Sequence, residues 1–208
     1  PIPAREFTVP PYMIVIRSFD VNKPGEDAET LRGGVAGGTI LKGCLRIGEE
    51  IAIRPGYITR NTQTGLTNWT EIRSQITTLK ADENHLMYAV PGGLLAVGMK
   101  VDPQFTRSDN MVGMIIGHPN AMPEVFIEID VKTTFLKRIV GTKDDQSGKN
   151  NKVDHIKVGE ILLINISSTS CGGTVIKVED VSFTSSLIEF LENGPYPVDE
   201  ARVCEHLG

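Results

Sequence analysis

Glycines crowd one short stretch of the chain, and such a stretch is the first place to look for phosphate-binding chemistry. Residues 31–56, LRGGVAGGTILKGCLRIGEEIAIRPG, hold seven of the twenty-one glycines. A phosphate loop needs G-x-x-x-x-G-K-[ST], in which a lysine and a hydroxyl follow the second glycine. Gly33 and Gly38 have that spacing, but Thr39 and Ile40 occupy the positions of the lysine and the hydroxyl. No helix start follows, so the sequence argues against a nucleotide site here.

The other polar residues do not form a catalytic set. General acid–base catalysis needs two convergent carboxyl groups with separated pKa values. Glu49 and Glu50 follow a turn and would face opposite sides of a strand, and Asp144 and Asp145 lie in a stretch of mixed charge. The sequence also has no nucleophile elbow, no H-E-x-x-H motif and no metal-ligand spacing. We therefore expect no catalytic residue, no metal site and no enzymatic activity in this chain.

Four cations lie beside these glycines, at Arg32, Lys42, Arg46 and Arg54. Glycines without side chains let an RNA backbone approach closely, and cations meet its phosphates. The alternative is that the glycines serve tight turns and bulges of a β-barrel. Spacing alone favours the barrel interpretation over the RNA interpretation.

The composition limits the classes of partner. The formal net charge is −5, and the whole deficit lies in the second half of the chain. RNA contact must therefore be a local patch rather than a broad basic surface. The three cysteines are odd in number and far apart, which is typical of a reducing compartment. No apolar run is long enough to span a membrane, so we expect a cytoplasmic protein with no membrane partner.

Strand patterns must position any site in the first half of the chain. Apolar, β-branched runs cover residues 12–21, 39–55, 71–80 and 92–101, and the second of these contains a glycine turn. Their spacing is typical of an all-β barrel or sandwich. The polar stretch 57–70 is predicted to be a long hairpin loop with Trp69 at its return.

A second β series follows the proline-containing polar segment 101–110, where we place the domain boundary. Residues 125–132 alternate apolar and polar side chains, which predicts a half-buried strand. Residues 142–157 are almost without apolar side chains and should be a mobile hairpin loop, and residues 159–185 predict two strands around a Ser/Gly turn. The prediction is two consecutive antiparallel β-barrels, at residues 1–104 and 105–208.

Several motifs in order resemble a known family. GGVAGGTILKGCLRIGEEIAIRPG is similar to the second-domain hairpin of translational GTPases. VPPYMIVIRSFDVNKPG, YAVPGGLLAVGMKVDP and MVGMIIGHPNAMPE resemble the gamma subunit of eukaryotic and archaeal translation initiation factor two. The similarity runs from about Phe7 to about Val178. It implies the second and third domains of a translational GTPase, with the GTPase domain absent from this sequence.

The resemblance also implies a site. In related tRNA carriers, the terminal adenosine and the aminoacyl group lie between the GTPase domain and the first barrel. Carried over by position, the barrel side of this tRNA-binding crevice consists of Arg32, Gly33, Gly34, Val35, Thr77, Lys80, Gly93 and Val97. The valines would pack against a base, the two glycines would admit the ribose, and Arg32 and Lys80 would meet phosphates.

The family implies the partners as well. It carries initiator methionyl-tRNA to the small ribosomal subunit, and its first barrel docks the alpha subunit, for which the hairpin at 57–70 is a candidate. The beta subunit, GTP and Mg²⁺ would bind the absent GTPase domain, and the second barrel would contact the nucleotide-exchange factor or ribosomal RNA. Two alternatives stay open: the middle domains of a selenocysteine-specific elongation factor, and a β-barrel scaffold without catalytic function.

Overall fold

The chain is divided into two compact units, each of which is built from β-strands. In a computed structural model, residues 4–27, 30–62, 67–132, 156–178, 185–190 and 196–197 are described. Unit 1 comprises residues 1–126, 165–170 and 195–199, and unit 2 comprises the rest of the chain. No α-helix occurs in these described ranges, and none of them contains a helix able to cross a bilayer.

Most of the strands belong to unit 1. They are β1 (Tyr12–Phe19), β2 (Val35–Lys42), β3 (Leu45–Arg46), β4 (Glu50–Arg60), β5 (Thr67–Ala81), β6 (Asn84–Leu86), β7 (Tyr88–Ala89), β8 (Leu95–Met99), β9 (Ile115–Gly117) and β10 (Val125–Phe126). Two short 3₁₀ helices, Pro103–Phe105 and Arg107–Asp109, connect β8 to β9. The strands predicted at 12–21, 39–55, 71–80 and 92–101 are therefore present, although the second is divided among β2, β3 and β4.

Six strands of unit 1 close into an antiparallel barrel. Their order is β4-β9-β1-β2-β8-β5, and β5 pairs with β4 to complete the ring. Alternate side chains point inward, and Met13, Ile53, Leu79, Val97 and Ile116 have no exposed surface. These residues lie in one apolar cluster that fills the barrel. The predicted all-β, antiparallel fold class is confirmed.

The hairpin of β4 and β5 differs from its prediction. Residues 57–70 were expected to be a loop, but Tyr57 pairs with Thr70 and Arg60 pairs with Thr67, so most of the stretch is strand. The polar composition misled the prediction because this two-stranded extension leaves Tyr57 and several neighbours exposed. Pro55 fits within β4 because the ladder is interrupted between Ile53 and Tyr57, where no partner needs its missing N–H.

Residues 105–126 lie in unit 1, although the sequence placed the domain boundary between residues 104 and 105. The reason is β9, whose Ile115 pairs with Ile14 of β1 and also with Arg54 of β4. Only three residues long, β9 fills the gap between these two strands and closes the barrel.

Unit 2 contains a four-stranded antiparallel sheet. Its order is β11 (Glu128–Lys132), β14 (Ser185–Phe190), β13 (Thr169–Val178) and β12 (Ile161–Ile166). Ile129, Cys171 and Val175 are buried in this sheet. The single half-buried strand predicted at 125–132 is divided into β10 and β11, and Ile127 between them is exposed. The two strands predicted at 159–185 are β12 and β13, joined at Ser167 and Ser168. The loop predicted at 142–157 falls almost entirely outside the described residues. Residues 196–197 belong to unit 1, where they form the short strand β15 (Tyr196–Pro197) and pair with β10.

Candidate nucleic-acid interface

The glycines of β2 and its approach pack against the barrel itself. A Cβ atom at Gly33 would lie 1.7 Å from the carbonyl oxygen of Met99, and one at Gly38 would lie 1.9 Å from that of Ile14. At Gly34 a Cβ would lie 2.2 Å from a side-chain carbon of Thr106. Real Cβ atoms do not approach other atoms so closely, so these positions need glycine whatever binds outside. The barrel-geometry interpretation of the glycine-rich stretch is supported.

One outer face of the barrel has small residues at its centre and larger side chains, including cations, on either side. Outward-facing residues of four adjacent strands form it, and we call this surface the glycine face: Arg17 and Phe19 on β1, Val35 and Gly37 on β2, Ala96 and Gly98 on β8, and Thr77, Thr78 and Lys80 on β5. The register aligns Lys80, Ala96, Gly37 and Arg17 in one row across the sheet. The row has small residues at its centre, where Gly37 is buried and Ala96 is half-buried, and an exposed cation at each end that could meet phosphate.

Three of the residues predicted for tRNA binding lie on the glycine face. Val35 is half-buried, and Thr77 and Lys80 are exposed on β5. Arg32, also exposed, precedes β2 by a few residues, about 10 Å along the chain from Val35. The structure therefore brings Val35, Thr77 and Lys80 to one side of the barrel, and Arg32 lies in the segment that leads into β2.

Two of the predicted residues are placed differently. Val97 has no exposed surface because its side chain points into the barrel beside Leu79 and Ala36, so a base cannot pack against that side chain. Gly93 lies in the loop before β8, at the opposite end of β2 and β8 from Arg32, about 17 Å or more along the strand. Its positive φ of 76° favours glycine, which explains the residue without a ligand.

The backbone of Arg32 is held by Asn22 through two hydrogen bonds. The Arg32 N–H donates to Oδ1 of Asn22 at 2.6 Å, and Nδ2 of Asn22 donates to the Arg32 carbonyl at 2.8 Å. Asp20 in turn accepts bonds from the backbone and the side chain of Asn22. The pKa of Asp20 is lowered first by the Asn22 backbone N–H, then by the Asn22 side chain, with a smaller effect of Arg107. These hydrogen bonds thus fix the backbone of Arg32, the cationic residue in the segment before β2.

A second polar network fixes Arg17 at the other flank. Its Nε lies 3.0 Å and 3.1 Å from the two carboxylate oxygens of Asp109, and its guanidinium carbon lies 5.4 Å from the centre of the Phe19 ring. The Ser18 backbone N–H also donates to Asp109 at 2.9 Å. The Ser18 N–H and then Arg17 hold the pKa of Asp109 below its usual value.

Asp109→Asn should remove a stabilising effect that depends on pH. Because the folded pKa is lowered, Asp109 stabilises the fold fully above its unfolded pKa of about 3.9, and this stabilisation is lost as pH falls through the folded pKa. Asn tolerates the positive φ of 60° at this position. Urea unfolding of both proteins should show a difference near pH 6 that shrinks below about pH 4. A difference that is the same at both pH values would contradict this account.

The other cations of the glycine-rich stretch do not join this surface. Arg54 donates to Glu71 at 2.7 Å and to the Pro123 carbonyl at 2.8 Å, and its guanidinium lies over Trp69. Lys42 lies over the Tyr12 ring, 5.3 Å from its centre. Arg54 is thus engaged inside unit 1 and is not available to RNA.

Sequence reasoning missed six residues of the glycine face: Arg17, Phe19, Gly37, Thr78, Ala96 and Gly98. The signal that could have found Arg17 and Phe19 is the period of two along β1, which places alternate residues from Arg17 onward on the outer surface. Gly37 and Ala96 could not be placed without the register that joins β2 and β8. Among the described residues, no group of three His, Cys, Asp or Glu side chains could hold a metal ion.

Comparison with known proteins identifies the relatives of this chain. The family model described as "Initiation factor eIF2 gamma, C terminal" matches residues 127–189, which form most of the described part of unit 2. The chain is also 45% identical over 175 residues to "Eukaryotic translation initiation factor 2 subunit 3" of Drosophila melanogaster, and this match covers 84% of the chain. This chain is a homologue of the gamma subunit of translation initiation factor two. The chain spans 37% of the length of that fly relative.

Proposed function

We propose that this chain is part of a translation initiation factor and that its barrel supplies one wall of the crevice for the acceptor end of initiator methionyl-tRNA. The glycine face is the observation that carries the proposal. It combines the exposed side chains of Lys80 and Arg17, the latter paired with Asp109, with the small residues Gly37, Ala96 and Gly98 between them, of which Ala96 is half-buried and the two glycines are buried. Homology to the gamma subunit supplies the biological context.

The chemistry of the face suits a single-stranded 3′ end. Single strands are bound by cations that meet phosphates and by aromatic rings on which bases stack. Phe19 is 42% exposed at the edge of the face, and Arg17 beside it is held by Asp109. Because Val97 points into the core, we leave its side chain out of the proposed surface and retain Arg32, Val35, Thr77 and Lys80.

The remaining partners follow from the same proposal. The parent protein would bind GTP and Mg²⁺ in a GTPase domain outside these residues, and the beta subunit would bind that domain. The first barrel would dock the alpha subunit, and the complete factor would deliver the tRNA to the small ribosomal subunit and be recycled by a nucleotide-exchange factor. The net charge of −5 favours local contacts with RNA over a broad basic interface.

Lys80→Ala and Arg32→Ala in the full-length protein should each weaken binding of initiator tRNA. Each cation that meets a phosphate of a single strand contributes about 0.7 to the slope of log affinity against log salt concentration. Each substitution should therefore lower affinity several-fold at low salt and reduce that slope by about 0.7. The control is Arg46→Ala, an exposed cation on β3 outside the glycine face. Equal affinity and slope for the wild type and both variants would overturn the assignment.

Gly37→Glu tests the centre of the same surface. A Cβ at Gly37 meets no atom closer than 3.6 Å, so the position accepts a β-carbon at ordinary contact distances. The new carboxylate would lie in the row between Lys80 and Arg17 and should reduce tRNA affinity by about tenfold or more through repulsion of phosphate. Gly37→Ala is the matched control and should bind nearly as the wild type does.

A further inference from the structure

A cavity in unit 1 that shares no lining residue with the glycine face has a distinct chemistry. Its volume is 550 Å³, within the range of small-molecule and side-chain pockets, and it lies between the start of the β4–β5 extension and the segment after β8. Two aromatic rings, one carboxylate, two amides and a thioether line it: Tyr57, Phe105, Asp102, Gln104, Asn110 and Met114.

The two rings form a corner. The ring centres of Tyr57 and Phe105 lie 6.1 Å apart, and the ring planes are inclined by 81°. Tyr57 is 54% exposed, so part of its ring is open to solvent beside the cavity. Aromatic faces attract cations electrostatically, and a corner of two rings presents π-surfaces in two directions.

Asp102 gives the cavity its charge. It is the ionisable carboxylate of the lining, and no Lys, Arg or His is among the described residues that form the walls. One carboxylate oxygen accepts the Gln104 backbone N–H at 2.9 Å, which fixes the side chain at the start of the first 3₁₀ helix. No hydrogen bond within the described structure occupies the second oxygen, which can accept from a ligand.

We propose that this cavity binds the guanidinium group of an arginine side chain presented by a partner protein. Guanidinium is planar, weakly hydrated and always charged, so it can stack on Tyr57 or Phe105 while donating to Asp102. The amide oxygens of Gln104 and Asn110 supply further acceptors for its remaining N–H groups. Lysine fits less well because its ammonium is compact and strongly hydrated.

Two alternative ligands are disfavoured by charge. Free arginine carries an α-carboxylate, for which the walls offer no cation, whereas an arginine within a polypeptide has no such charge. A nucleotide could stack a base on the rings, but its phosphate would be repelled by Asp102. The absence of a cationic wall therefore favours a peptide arginine.

The test is an NMR titration of the full-length protein, with the Met114 methyl group as the reporter. The probe is the blocked tripeptide acetyl-Gly-Arg-Gly-amide, which should shift the Met114 resonance with a dissociation constant on the order of millimolar. The same tripeptide with citrulline, which has the shape of arginine without its charge, should bind about tenfold more weakly. Equal binding of the citrulline peptide, or a similar Met114 shift with AMP, would overturn the proposal.

Variants distinguish a specific effect of the Asp102 carboxylate on binding from general effects on the fold. Asp102→Asn should weaken binding of the arginine peptide about tenfold. The hydrogen bond from the Gln104 backbone N–H should survive, because Asn is also a good N-cap. Asp82→Asn, a change of the same type in the exposed turn between β5 and β6, should leave binding unchanged. If Asp102→Asn fails to fold, Tyr57→Leu carries the test, since Tyr57 is exposed and its loss should also weaken binding. Unchanged binding in either folded variant overturns the proposal.

Discussion

Gly38→Ala should lower the free energy of unfolding of the barrel by about 3 kcal/mol. The added Cβ would lie 1.9 Å from the carbonyl oxygen of Ile14 and 3.1 Å from the methyl carbon of Met13. The closer atom belongs to the backbone of the adjacent strand, which cannot rotate away as a side chain can. To accommodate the methyl group, β1 and β2 must separate at a point where both contribute to the closed barrel.

Gly37→Ala is the matched control for this substitution. Its Cβ would meet Phe19 at 3.6 Å and Arg17 at 3.7 Å, which are ordinary contacts. We expect a change of about 0.5 kcal/mol or less, because the strand gains a small side chain without strain and the unfolded chain loses freedom. Urea unfolding followed by fluorescence of Trp69, the single tryptophan, reports on this barrel. Similar midpoints for the two variants would show that β2 does not pack as tightly as described.

Glu71→Ala is the second substitution with a large expected effect. It should lower the free energy of unfolding by about 2 kcal/mol. Glu71 accepts from Arg54 at 2.7 Å and from Arg73 at 3.0 Å, and only 14% of its side chain is exposed. Without the carboxylate, the Arg54 guanidinium would stay largely buried, at 19% exposed, with carbonyl partners but no opposite charge. The cost comes mainly from this uncompensated cation.

Arg73→Ala separates the two ion pairs that share Glu71. The Arg73 side chain is 60% exposed, and exposed ion pairs contribute little, so we expect a loss of about 0.5 kcal/mol. Fluorescence should also distinguish the variants, because the Arg54 guanidinium lies 5.5 Å from the centre of the Trp69 ring and is repositioned only when Glu71 is lost. Equal destabilisation by Glu71→Ala and Arg73→Ala would contradict the assignment of the cost to Arg54.

The sequence was sufficient for the strands that have buried, alternating side chains. β1 is recognisable because its β-branched apolar run contains Met13 and Val15, which point inward. The extension of β4 and β5 could not be recognised from the sequence, because Tyr57 to Arg60 are largely exposed and are held by pairing with β5 rather than by burial. Pairing between distant strands leaves no signal in the local pattern of apolar residues, so the stretch resembles a loop.

The candidate site was predicted in part. The resemblance supplied Val35, Thr77 and Lys80, which lie on one side of the barrel, and Arg32, which precedes β2. Their role in tRNA binding stays a prediction. Val97 shows why position alone is insufficient, since a shift of one residue along a strand moves a side chain from the outer surface to the core. Its neighbours Ala96 and Gly98 face outward instead, where Ala96 is half-buried and Gly98 is buried.

The closure of the barrel by β9 removes two strand edges that could otherwise pair with other chains. Strands with an unpaired edge can recruit other chains, and a closed barrel avoids this by having no free edge in its ring. Until Ile115–Gly117 has left the ribosome, β1 and β4 each keep one edge open over the residues that β9 will pair. A fragment that ends at residue 104 would keep both edges open permanently and should aggregate, whereas one that ends beyond residue 117 completes its own ring.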